Sequence, residues 1–162
     1  MNRQIVTRRQ RRTQRMLYCY IGFLFLWALA IALMPIGSAK KEETMALLYV
    51  SGAAFWIGAA GTIFMALKIN HCRRGSYRFN GYNGGQKQLG AVHFFQNKEA
   101  IAFDAIWFAS IVGFLVARLW ISQITVTFLF LALVTFSFGM HCMLNGINYR
   151  YIKYEVRRDE NL

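Results

Sequence analysis

Proline is nearly missing from this chain, with one in 162 residues, and acidic residues are scarce, at 7 against 19 Lys and Arg. Cysteine is limited to Cys19, Cys72 and Cys142, too few and too dispersed for a disulfide framework. The alternation of apolar and polar residues that barrel strands need is also lacking, because the apolar stretches run unbroken and too long. Gly84-Gly85-Gln86-Lys87 is not a phosphate loop, since the spaced glycine and the Lys-Ser/Thr ending are absent. What is there is a membrane composition, with 56% hydrophobic residues, 16% aromatic residues and a mean hydropathy of +0.30.

Four apolar runs, at 16–36, 45–67, 100–121 and 124–147, exceed the roughly 18 residues that mark a bilayer crossing. As helices, each crosses about 30 Å of hydrocarbon. The connections at 38–44 and 122–123 are short, so neighbouring spans must turn back at once. The pattern predicts an all-α integral membrane protein, a bundle of four transmembrane helices built as two antiparallel hairpins.

Charge gives the orientation. The net +12 of a soluble protein would point to nucleic acid, but here the membrane explains it and no nucleic-acid partner is expected. Arg3, Arg8, Arg9, Arg11, Arg12 and Arg15 precede the first span. Lys68, Arg73, Arg74, Arg78, Lys87 and Lys98 fall in the central segment 68–99, and Arg150, Lys153, Arg157 and Arg158 follow the last span. The other side holds only Lys40, Lys41 and Arg118. Both termini and the central loop are therefore expected in the cytoplasm of a cell whose plasma membrane the chain spans, with a basic tail at 1–15, a membrane domain at 16–147 and a second tail at 148–162. All three cysteines then lie near cytoplasmic helix ends, where thiols stay reduced.

Residues 1–15 are expected to lie along anionic headgroups. Together with the first apolar run they resemble a signal peptide, with Gly37 and Ala39 as small residues, but the run is longer than such regions and is read as an uncleaved helix that Pro35 and Gly37 end. The C-terminal sequence is neither a prenylation box nor an address signal. In the second span Ala54, Gly58 and Gly61 or Thr62 share one side at helical spacing, a small face suited to packing another helix or a second copy. The central loop, at 32 residues, is longer than a connection needs to be. Its Asn80-Gly81 suits a hairpin turn, and 89–95 suits a segment lying in the interface.

Two ionisable residues enter the third span. Arg118 can snorkel to the outer headgroups beside Trp120, whereas Asp104 sits about one turn inside the cytoplasmic end. They are about 21 Å apart along a helix and cannot pair. An acid inside a span is costly, and Asp104 is expected to pair with Lys98, Arg73 or Arg74, with an ion or substrate path as the alternative. His71-Cys72 and His141-Cys142 leave the second and fourth spans in similar contexts, which suggests a diverged duplication. They are a zinc set by residue type, but adjacent residues diverge by about 100° on a helix, so plain interfacial positions are preferred over a metal or redox site, or over palmitoylation. Thr127 and Thr135 can satisfy their hydroxyls on their own helix.

No Ser-His-acid set and no paired carboxylates converge within a span, so neither catalysis nor a cofactor is expected. The expected function is that of a non-catalytic accessory, assembly or regulatory membrane subunit. Its basic loop, through Arg73, Arg74, Arg78, Tyr82 and Lys87, would meet a protein partner or anionic lipid, and homo-oligomers are an alternative assembly. A small oligomeric transporter or channel is the competing expectation, followed by a metal- or thiol-dependent membrane enzyme. A transporter should place a second polar group opposite Asp104, and for this the spans are expected to offer only hydroxyls.

Overall fold

The computed structural model describes residues 3–38, 45–79, 94–95, 98, 100–121 and 123–146. Among them every regular element is a helix. The helices are α1 (Arg3–Ser38), α2 (Met45–Phe79), α3 (Ile101–Val116), which runs into a π-helical turn at Ala117–Ile121, and α4 (Ile124–Gly146). Four stretches are long and apolar enough to cross a membrane: Arg15–Ile36, Met45–Ile69, Ile101–Ile121 and Ile124–Asn145. Helix is what such segments must form in hydrocarbon, where each backbone N–H and C=O needs a partner within the segment. The chain is thus a multi-pass membrane protein with a four-helix membrane domain.

Three boundaries differ from those expected. The basic stretch before the first span is the continuation of α1, which begins at Arg3. Likewise α2 runs to Phe79, so 68–79 is helix rather than loop. Once a span has nucleated a helix, propagation into Lys-, Arg- and Gln-rich sequence adds a hydrogen bond for each residue fixed, and only Gly75 disfavours it in α2. Pro35 does not end α1, which continues to Ser38. A proline within the last turn removes a single helical hydrogen bond, and membrane helices tolerate this.

Helix α1 packs against both α2 and α4, and α4 packs against α3, so α2 and α3 take the flanks. The core follows from that order. Met16, Leu17, Tyr20 and Leu24 of α1 meet Met65 and Ile69 of α2 and Met140, Met143 and Leu144 of α4, with Leu24 at 1% exposure near the centre. A smaller cluster joins Ala28 and Ile31 to Ala132. The flanking helices turn large apolar groups outward, among them Trp56, Phe64 and Leu67 of α2 and Val112 and Leu115 of α3. In lipid these are ordinary surface residues.

At the α1–α2 contact the backbones approach closely. A Cβ on Gly58 would lie 2.6 Å from the backbone nitrogen of Trp27, and one on Gly61 would overlap the ring of Phe23. Small residues permit this approach, and packing rather than hydrophobic burial holds helices together in lipid. Ala54 lies half-buried one turn earlier on α2. Four Ser and Thr hydroxyls within the spans are satisfied on their own helix or its immediate start. Thr62 donates to Gly58 O at 2.7 Å, Thr127 to Gln123 O at 3.2 Å, Thr135 to Leu131 O at 2.9 Å and Ser137 to Leu133 O at 2.6 Å.

Candidate functional site: a buried acid and imidazole

The polar centre of the molecule lies where the start of α3 meets the end of α4. Asp104 occupies the first turn of α3, with its own N–H donating to Ala100 O at 2.9 Å. A carboxylate there is favoured by the positive end of the helix dipole. Its side chain is fully enclosed, as is that of His141 on α4, and Oδ1 of Asp104 lies 2.5 Å from Nδ1 of His141. The second carboxylate oxygen, Oδ2, accepts the backbone N–H of Phe95 at 2.6 Å. Phe95 adopts a φ of 60°, in the left-handed region that bulky residues avoid.

Aromatic rings close the site. The ring of Phe94 stacks on the imidazole at 4.2 Å and 13°, and also on Trp107 at 4.8 Å and 16°. Phe138 lies nearly parallel to the imidazole at 6.0 Å. Phe95 is half-exposed and stacks on Phe108 at 5.5 Å. From α1, the Tyr20 hydroxyl donates to Gly139 O at 2.9 Å, which ties the same region of α4 to the third helix of the core.

An ionised carboxylate only accepts, so His141 must present Nδ1–H to it, and the lone pair of a neutral ring then falls on Nε2. The amide nitrogen of Asn145, one turn further along α4, stands 3.4 Å from Nε2 and can donate there; it is also 3.0 Å from Nδ1. Asn145 is buried, and its Oδ1 has no partner among the described residues. Asp and His in this relation are two thirds of a hydrolytic triad, in which the acid fixes the tautomer of the base. Here the imidazole has no exposed surface.

The expected partner of Asp104 is corrected by this geometry. Lys98 is exposed, and among the described residues the side-chain partner of Asp104 is His141; the side chains of Arg73 and Arg74 lie outside the described residues. His141 is fully enclosed by the protein. A signal for the pair was available. Asp104 lies three residues inside the start of its span and His141 four inside the end of the next, which places both at similar depth. Arg118 is exposed in the π-helical turn at the other end of α3. Among the described residues no three of His, Cys, Asp and Glu come together as a metal site, and Cys142 is half-buried. His71 and Cys72 lie on α2, but their side chains, with Tyr82 and Lys87, are outside the described residues.

Fold and site together define a four-helix membrane protein with an enclosed acid–imidazole pair. No protein-family model, curated protein or solved structure matches the chain.

Proposed function

We propose that this chain is a non-catalytic accessory, assembly or regulatory membrane subunit that meets a partner or anionic lipid through its basic cytoplasmic side. One observation carries the reading. Both α1 and α2 outrun their spans, by residues 3–14 and 70–79, and these extensions carry Arg3, Arg8, Arg9, Arg11, Arg12, Arg73, Arg74 and Arg78 with no acidic residue. Helical extensions of about 15–18 Å offer a surface beyond the hydrocarbon. The proposed arrangement is two antiparallel hairpins with both termini and the segment 68–99 in the cytoplasm of a plasma-membrane protein. Single cysteines at Ser38 and Asn83, in a background without native cysteines, test it. The one at Ser38 should react with an impermeant thiol reagent in intact cells and the one at Asn83 should not; the opposite result inverts the orientation.

The docking surface is tested with full-length protein in nanodiscs. If a protein partner docks, Tyr82→Ala should weaken its capture tenfold or more at constant charge, because buried rings dominate specific contacts. If anionic lipid is the ligand, Tyr82→Ala should matter little, while Arg73→Gln with Arg74→Gln should release phosphatidylserine vesicles in a salt-dependent manner. Wild-type behaviour of both variants in both assays would refute this surface.

A second reading is favoured by the Asp104–His141 pair. A small oligomeric transporter needs a polar group opposite its intramembrane acid, and His141 is such a group. The two readings separate on one variant, Asp104→Asn. Loss of an ion or substrate flux at normal folded yield supports transport, whereas reduced yield with no flux in the wild type supports the subunit.

A further inference from the structure

The chain enters α3 through a turn that is held more firmly than a connection requires. Phe95 keeps a left-handed conformation although half of its surface is open, so burial of its ring does not explain the strain. The conformation brings its N–H to Oδ2 of Asp104, while Oδ1 of the same carboxylate engages His141 and the ring of Phe94 covers the imidazole. One buried side chain therefore joins three parts of the chain: the start of α3, the end of α4 and the turn between the central segment and α3. Both carboxylate oxygens are occupied, and each bond is to a different part.

We infer that Asp104 is a positioning residue, which with His141 forms a latch that seats the Phe94–Phe95 turn on the end of α4 and so fixes the far end of the central segment. The near end is fixed by α2, which is helical to Phe79. The latch decides where the chain re-enters the membrane domain. This inference rests on the reading in which the basic central segment meets a partner, and it gives the intramembrane acid a part in that contact.

Proline and glycine at position 95 give opposite tests that leave the buried pair untouched. Phe95→Pro removes the N–H and cannot take a φ of 60°, whereas Phe95→Gly keeps the N–H and suits that angle. Spin labels are placed at Lys98 and Tyr18, both exposed, in full-length protein in nanodiscs with Cys19, Cys72 and Cys142 replaced by alanine. Pulsed EPR should show one narrow distance in the parent and in Phe95→Gly, and a distribution at least twice as broad in Phe95→Pro and in Asp104→Ala. A narrow parent-like distance in Phe95→Pro overturns the latch. If that variant does not fold, Asp104→Ala, which removes the acceptor of the Phe95 N–H, decides alone, because a merely structural acid would lower stability without moving the label. Capture of the proteins that co-purify with the wild type is measured on the same samples. A broadened distance with unchanged capture leaves the latch standing and removes the docking reading, while an unbroadened distance removes the latch whatever is captured.

Discussion

Helices α1 and α2 are held together by shape, and the α3–α4 end is held by an enclosed acid–imidazole contact. At the first contact Gly58 lets α2 approach the backbone of Trp27, and the hydroxyl of Thr62 is turned back on its own helix, to Gly58 O. At the second, Asp104 and His141 are enclosed face to face, with an amide N–H and stacked rings completing the enclosure. Close packing in lipid works through many small contacts and tolerates loss of any one polar group. A buried polar pair is the reverse, because removing one partner leaves the other uncompensated. The first contact can serve as a rigid base, while the second can be undone at a single atom.

The largest effect is expected from His141→Leu, which leaves the Asp104 carboxylate enclosed with the Phe95 N–H as its remaining described donor. Breaking a buried pair this way costs about 3–5 kcal/mol, and reversible unfolding in mixed micelles should register that loss. Next comes Gly58→Leu. The side chain would have to displace backbone at Trp27 rather than a movable group, so the upper part of the about 1–3 kcal/mol range for overpacking is expected, read as loss of the folded fraction in the same assay. Phe94→Ala removes the ring over the imidazole and should cost about 1–2 kcal/mol while preserving the acid–imidazole contact, checked by an unchanged distance between labels on α3 and α4. Smallest is Thr62→Val, at under about 1 kcal/mol, since a hydroxyl bonded to its own helix contributes little to association. If Thr62→Val proves as damaging as His141→Leu, the contrast between the two contacts collapses.

The spans were legible because about 20 unbroken apolar residues have few other solutions, and four helical stretches of the structure are long and apolar enough to cross a membrane. The ends were not, because polar residues such as those at 3–14 and 70–79 carry no hydropathy signal and take helix from the span beside them. Asp104 stands out as an acid in hydrocarbon, yet the cations nearest to it in sequence point to other partners. His141 is 37 positions away and beside Cys142, in a context that suits an interfacial pair. Sequence proximity favoured Lys98; depth in the membrane favoured His141. For Phe94 and Phe95, the apolar run at 89–95 gave no hint that one ring would cover an imidazole and the other would stay half-exposed at a left-handed turn.

A double-mutant cycle between Asp104 and His141 tests the central claim, that one buried pair rather than diffuse packing holds the α3–α4 end. Unfolding free energies of the wild type, Asp104→Asn, His141→Leu and the double variant are compared in the same micelles. The account predicts that the double variant is less damaged than the sum of the single ones by at least about 1.5 kcal/mol, because the second substitution removes a charge or donor already left without its partner. Additivity within about 0.5 kcal/mol would show that the two side chains act independently and would contradict it.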